Sequence, residues 1–343
     1  VKLGSPFEHV LARFGVLEPL DGLISEELKE QLLPSVLTAS LYTSITPKDM
    51  TGKLISIPYF TDTRAILYRK DIFQERDVPE PIGWTWSEFV TYAKQLTFDR
   101  DGDGKIDVYG FGTAANYTYQ AVMYAWQAGG ELMGADDRPA FTTDEFNEGI
   151  QFYADLFNVH KVVQPGAINV DLWDVRRQLA EGTVAMYIDA GDSAKELQKI
   201  LGDTLGVGLL PTNEKTGKFT SYFGSDALVI PKQSRNKSEA AKLLEWLVDK
   251  DHMTEYCIAS GFLPARLDSA ADPHFSDSPV VSMYLRQLED AHAWIAHPEA
   301  NFIARTLRVE IQNAISENSD IAAALKTAQE LVEKQLKDKG FLK

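Results

Sequence analysis

Short runs of apolar and β-branched residues alternate with amphipathic helical patterns through most of this chain. That alternation limits the fold more than any other feature. The β-like runs are Leu54–Pro58, Ala65–Tyr68, Thr183–Ile188, Leu205–Leu210 and Ala227–Pro231, with a turn over Thr212–Lys218. Thr85 and Glu88 have capping-box spacing ahead of the apolar face Phe89, Tyr92, Ala93 and Leu96. Thr142 and Glu145 repeat it ahead of Phe146, Ile150, Tyr153 and Phe157. Asp171 opens a helix that carries Val175 and Leu179 and stops at Gly182, and Ser238 caps another through Leu243, Leu244 and Leu247. Helical patterns also cover Val280–His292, Phe302–Ser316 and Asp320–Lys337, so the chain beyond Ser238 reads as nearly all helix. Strands alternating with helices predict α/β layers. The 343 residues suggest two domains, and with no repeat or low-complexity linker these are joined by strands rather than by a tether.

Charge narrows the partners. Lys plus Arg total 34 against 50 Asp plus Glu, a net charge of −16, which repels phosphate backbones and anionic lipid heads. No nucleic acid or membrane surface is expected as a partner. The single cysteine, Cys257, permits no internal disulfide. Val1–Pro6 lacks a charged start followed by an apolar core, so no signal-peptide pattern opens this chain. The 23 uncharged residues Val108–Gly130 are long enough to span a bilayer, but Asn116, Thr118, Gln120, Gln127 and several glycines argue against it.

The sharpest local motif is acidic. Asp99, Asp101 and Asp103 take positions one, three and five of an EF-hand-like loop, with Gly104 at six, Ile106 at eight and Asp107 at nine. Lys105 falls at position seven, where such loops offer a main-chain carbonyl. Position twelve is Gly110 instead of a bidentate Glu, so the loop is either a weak structural Ca²⁺ site or an Asp/Gly-rich surface turn. The next glycines, Gly110-Phe111-Gly112-Thr113-Ala114-Ala115, have dinucleotide-loop spacing, but the acidic loop before them would repel a pyrophosphate. The uncharged stretch also holds Tyr109, Phe111, Tyr117, Tyr119, Tyr124 and Trp126. Tyr124 and Trp126 fit helix packing, while Tyr117 and Tyr119 suit either packing or a wall against the C–H faces of a sugar ring. Zinc, P-loop, nucleophile-elbow and CxxC motifs do not occur, so no catalytic residues are assigned.

In their order and spacing, several segments resemble the maltose-binding-like family, the bacterial extracellular solute-binding proteins of sugar ABC transporters. They are Gly52–Leu54, Ile57–Arg64 and Leu67–Asp71, Trp84–Phe89, Tyr109–Phe111 with Gly129-Gly130, Gly182–Met186, Gly224–Ile230 and Gly261–Arg266. The resemblance implies an α/β, two-lobed periplasmic-binding-protein fold with a central cleft. Residues 1–67 and 228–295 would form the N-terminal lobe, and 68–227 and 296–343 the C-terminal lobe. The crossings would lie near Tyr68, Gly224–Asp226 and His292–Glu299. It further implies ligand contacts at Ser5, Tyr59, Asp62, Tyr117, Tyr119, Asp189, Asp192, Tyr222, Ser225, Asp226 and Arg308. The loop after Gly182–Met186, where relatives stack a Trp, holds none. Members begin with strand–helix units ahead of the segment that opens this chain, so the N-terminal lobe is expected to be incomplete.

The expected function is non-enzymatic: the substrate-binding receptor of an ABC importer, an extracytoplasmic (periplasmic or lipid-anchored) monomer in its full-length form. It would close on a sugar or oligosaccharide between its lobes and present it to the permease transmembrane subunits. No cofactor is expected beyond the Ca²⁺ of the acidic loop. Two alternatives stay open: a carbohydrate-active enzyme with paired carboxylates, and a same-fold receptor for a cationic solute drawn by Asp62, Asp189, Asp192 and Asp226.

Overall fold

The computed structural model describes residues 1–4, 7–41, 50–295 and 297–342. The chain divides into two units, the first built from Val1–Thr63, Phe223–Leu288 and Ala293–Ala300, the second from Arg64–Tyr222, Glu289–His292 and Asn301–Lys343. The sequence reading drew the first two boundaries at 67/68 and 227/228. They fall at 63/64 and 222/223, because Phe223–Leu228 pairs with strands of the first unit.

The first unit opens with β1 (Lys2–Gly4), α1 (Phe7–Arg13), α2 (Glu26–Gln31), α3 (Pro34–Ser40) and β2 (Ile57–Thr63). In the second unit follow β3 (Ala65–Arg69), α4 (Lys70–Glu75), α5 (Trp86–Gln95), β4 (Tyr109–Gly112), α6 (Thr118–Ala128) and α7 (Asp144–Asn158). Then come α8 (Leu172–Glu181), β5 (Val184–Asp189), α9 (Gly191–Leu201) and β6 (Leu205–Gly208). Strand β7 (Ser221–Leu228) returns the chain to the first unit for α10 (Lys237–Leu247), α11 (Lys250–Ser260), α12 (Leu267–Ala270), α13 (Pro273–Ser276) and α14 (Pro279–Leu288). After β8 (Ala291–Ala293), helices α15 (Ala300–Glu317) and α16 (Ile321–Asp338) complete the second unit.

Two sheets organise these elements. In one, β7 lies antiparallel between β1 and β2, and β8 also pairs with β7. The other has the order β4-β5-β3-β6, with β4 parallel to β5 and β3 antiparallel to both β5 and β6. Ala65–Tyr68 and Val184–Asp189 are buried throughout, the pattern of strands covered on both faces. Aromatic pairs bind the helices to this core: Trp86 stacks on Phe152 at 4.1 Å and Phe89 meets Phe111 edge-on at 5.2 Å. Beside α1, the first unit buries Ala12, Leu17, Met50, Ile55 and Val229 in one cluster. Cys257 is a buried thiol whose surroundings push its pKa up to about 12.

Local chemistry explains the helix ends. Thr85 and Glu88 form the expected capping box, as do Asp171 and Asp174, and Gly182 closes α8 at φ +79°. The dinucleotide-like glycines serve packing instead: a Cβ on Gly110 would lie 2.0 Å from the Ala93 carbonyl oxygen of α5. Val108–Gly130 resolves into β4, a loop and α6, and among the described residues no helix is long and apolar enough to cross a membrane.

Several sequence expectations shift. Thr143, not Thr142, caps α7, because the Thr142 hydroxyl and amide donate to Gln329 Oε1 of α16 at 3.0 and 3.2 Å. Helix α10 starts at Lys237, ahead of Ser238. The pattern Val280–His292 breaks at Leu288, because Asp290 accepts bonds from Phe219 N, Thr220 Oγ1 and Ser221 N. The strand expected over Leu54–Pro58 runs over Ile57–Thr63, and that expected over Ala227–Pro231 runs over Ser221–Leu228. Both extend through polar residues because backbone partners on the sheet, not apolarity, hold them.

Candidate functional site

Strand directions bring the chemistry of the second unit to one sheet end. Ala65, the first residue of β3, pairs with Asp189, the last of β5, so Arg64 and the start of α9 share that end. Parallel β4 points the same way and delivers the Asn116–Tyr119 loop. Helix α8 leads through Gly182 into β5, so its first residues stand there too.

Helix α15 fixes the loop. Arg308 donates to the Asn116 carbonyl at 3.1 Å, Gln312 to Asn116 Oδ1 at 3.0 Å, and Thr118 Oγ1 to the Ala304 carbonyl at 3.0 Å. Asn116 in turn donates to the Val170 carbonyl, just ahead of α8, at 3.1 Å. Arg308, expected as a direct ligand contact, therefore uses at least one guanidinium nitrogen to hold the loop of Tyr117.

Three tyrosines line this end. Tyr119 and Tyr222 stack at 5.0 Å and 24°, Tyr117 lies 5.7 Å from Tyr119, and the Arg64 guanidinium sits 5.1 Å from the ring centres of both Tyr119 and Tyr222. The Arg64 main chain is clamped by Ser221, whose hydroxyl accepts from its N–H at 3.1 Å and donates to its carbonyl at 2.7 Å. Burial raises the phenol pKa of both Tyr117 and Tyr119, so both keep their protons and remain hydrogen-bond donors at neutral pH.

The acidic residues have partners. Asp189 is only 5% exposed; its carboxylate accepts from Ala190 N at 2.8 Å and Ser193 Oγ at 2.6 Å and lies 3.7 Å from the Arg176 guanidinium. In this structure Asp189, expected as a ligand contact, anchors α9 and Arg176. Arg176 also bonds Glu196 and the Ser193 hydroxyl. Asp192 is half-buried, and burial, with the nearby Asp189 charge, raises its carboxyl pKa.

In the first unit, β2 and β7 pair Thr61 with Ser225 and Asp62 with Gly224, and the register slips between Pro58 and Phe60, which makes Tyr59 a bulge. Tyr59 lies 4.5 Å from Tyr256, and Phe60 stacks on Phe262 at 4.1 Å and 9°. Asp226 is joined to Lys2 at 2.6 Å, so it too carries a cationic partner. Asp62 and Ser225 are half-buried on adjacent strands. Ser5 lies outside the described residues.

In the acidic loop, Asp99, Asp101 and Asp107 bring carboxylate oxygens within 4.8 Å of one another. The carboxylate of Asp103, also in the expected set, accepts from Lys105 N at 2.8 Å and Lys105 Nζ at 3.3 Å. Hydrogen bonds from Gly104 N and Gly102 N hold the Asp99 carboxyl pKa below the usual range.

Sequence reasoning missed Arg64, Arg176 and Trp173. The last had a signal. On α8 the buried stripe is Leu172, Val175 and Leu179, and a tryptophan beside it on the polar face lacks a packing reason.

A family model described as bacterial extracellular solute-binding protein matches residues 7–282. The chain belongs to that family. As a member of the extracellular solute-binding proteins, it is 26% identical over 281 residues to a putative binding protein of Brucella abortus (strain 2308), covering 81% of this chain and 64% of the relative. The mannitol-binding protein of Pseudomonas aeruginosa is 26% identical over 238 residues, 68% of this chain and 52% of that one. The chain thus spans less than two thirds of these relatives. Among solved structures, a solute-binding protein of Thermotoga lettingae bound with α-D-tagatose superposes with a TM-score of 0.82 at 25% identity, over 97% of this chain and 84% of that one. The sugar-binding protein MalE of Xanthomonas citri superposes with a TM-score of 0.85 at 21% identity, over 99% and 84%. These neighbours establish the α/β two-lobed binding-protein fold expected from the sequence.

Proposed function

We propose that this protein is the substrate-binding receptor of an ABC importer for a neutral sugar or polyol. One observation carries the reading: the second unit gathers protonated phenols around balanced charges, with Arg64 and Arg176 set against Asp189 and Asp192. Such a surface binds hydroxyls through many directed donors and acceptors without attracting net charge. The Pseudomonas relative is a mannitol-binding protein, a Pyrococcus abyssi relative at 23% identity is a maltotriose-binding protein, and the Thermotoga neighbour held tagatose. The same balance weighs against a cationic solute, since Asp189 and Asp226 already have cationic partners.

The receptor acts outside the cytoplasm as a monomer, binds the sugar by a shift of population towards its liganded form, and hands it to a permease. The acidic loop holds a weak structural Ca²⁺ on Asp99, Asp101 and Asp107, with remaining ligands from main-chain carbonyls and water. Calorimetry with millimolar Ca²⁺ tests that part, and absence of heat removes it.

A micromolar dissociation constant corresponds to about −8 kcal/mol, within reach of a few hydrogen bonds to ionised groups and a stacked ring. Calorimetric titration with maltotriose, D-tagatose and D-mannitol, with spermidine alongside, tests the main reading. Binding of a sugar or polyol and not of spermidine is expected; spermidine binding alone overturns it.

A further inference from the structure

Trp173 stands at the second position of α8, about 100° around the helix from Leu172 on the buried stripe, and is 62% exposed. Its ring is nevertheless held. The Arg176 guanidinium lies 4.2 Å from the ring centre, one turn on. Arg176 is not a mobile surface cation: its side chain is 11% exposed, lies 3.7 Å from Asp189, and bonds Glu196 and Ser193. A network fixed to the sheet thus positions one aromatic ring while leaving most of its surface in water. The other strongly exposed tryptophan, Trp246, is covered in part by the His252 ring at 3.9 Å.

Place sharpens the point. The first turn of α8 and the end of β5 share one end of the sheet, and the Asn116–Val170 hydrogen bond ties the Tyr117 loop to the chain just before that turn. Trp173 thus touches Arg176, which reaches Asp189, and lies three residues after Val170, to which Asn116 of the Tyr117 loop is bonded. The loop after β5 carries no tryptophan.

We propose that Trp173 is the ring-stacking residue of the second unit's site: its indole covers the apolar C–H face of a cyclic sugar, whose hydroxyls Tyr117 and Asp192 take up. This rests on the sugar-receptor reading and deepens it, because it commits the ligand to a closed ring instead of an open-chain alditol. An indole offers a wide flat apolar face that a ring of C–H groups matches and a flexible chain matches poorly. Trp173 is 62% exposed and outside the folded core, so its removal is expected to change the melting temperature little.

The test is calorimetric titration of wild type, Trp173→Ala and Trp173→Phe with maltotriose, D-tagatose and D-mannitol, with thermal melts of each variant. The expected result is roughly tenfold weaker binding of the cyclic sugars by Trp173→Ala (about 1.4 kcal/mol). Trp173→Phe keeps most of that affinity, any mannitol binding changes less, and the melting temperature is unchanged. Cyclic sugars should also shift tryptophan emission in wild type, by an amount reduced in Trp173→Phe. If Trp173→Ala binds the cyclic sugars as wild type does, the stacking role is overturned and the receptor reading stands. If wild type binds only mannitol, the closed-ring commitment falls. If wild type binds none of the three, the receptor reading fails and takes this role with it.

Discussion

At the scale of single residues, burial and partners decide what an ionisable group can do. Asp62, Asp189, Asp192 and Asp226 look alike in sequence, yet Asp189 is a buried structural anchor and Asp226 an ion pair. Asp192 is the one whose surroundings oppose its charge: burial, then Asp189, raise its pKa above 3.8. A folded state that holds the proton longer than the unfolded chain has this stability in full below pH 3.8 and loses it as pH rises through the window above. Asp192→Asn removes the charge, so it is expected to raise the melting temperature near neutral pH, with the gain fading as pH falls through the window above 3.8 and gone below it. Thermal melts across that range check it, and a gain independent of pH would rule it out.

At the scale of elements, caps and close approaches set the geometry. The Thr85 hydroxyl accepts from Glu88 N at 3.2 Å while the Glu88 carboxylate accepts from Thr85 N at 2.8 Å. Thr85→Ala is expected to cost about 1 kcal/mol in a denaturant titration. Helices α6 and α7 touch backbone to backbone at Gly149, where a Cβ would lie 2.3 Å from Ala125 N and Cα. Because the atoms met are backbone of a packed helix, Gly149→Ala is expected to cost about 3 kcal/mol, read from the same titration. Elements with local signals were legible: the Thr85–Glu88 capping box, the Asp171 cap, the Gly182 stop and the two long C-terminal helices. Elements that depend on a distant partner were not. Thr142 looked like a cap until Gln329 claimed it, and the helix expected through His292 ends where Asp290 meets Phe219–Ser221.

At the scale of the whole molecule, discontinuity is the main consequence of the topology. Residues 64–222 are continuous but do not make up the second unit, which also needs 301–343. Helices α15 and α16 bury Ile303, Leu307, Ile311, Leu325, Val332 and Leu336, and Arg308 and Gln312 hold the Tyr117 loop. A fragment 64–222 is therefore expected to lack a cooperative melt by circular dichroism, and one with 301–343 appended through a flexible linker to regain it. A cooperative melt of the shorter fragment would show that the last two helices are dispensable.

The amino-acid sequence by itself determined the alternation of strands and helices, the capping chemistry, the family resemblance and the cluster of tyrosines before α6. These are carried by near neighbours or by ordered motifs, so periodicity and spacing report them directly. Only the tertiary structure decided which carboxylates are neutralised, that Arg64 lies against Tyr119 and Tyr222, and that Arg176 fixes Trp173 beside Asp189. Apart from the Trp173–Arg176 pair on one helix, those relations join residues far apart in sequence that sheet pairing and helix packing bring together: Arg64 reaches Tyr222 because β3 and β7 begin where Ser221 clamps its main chain. A linear sequence carries no record of that distance.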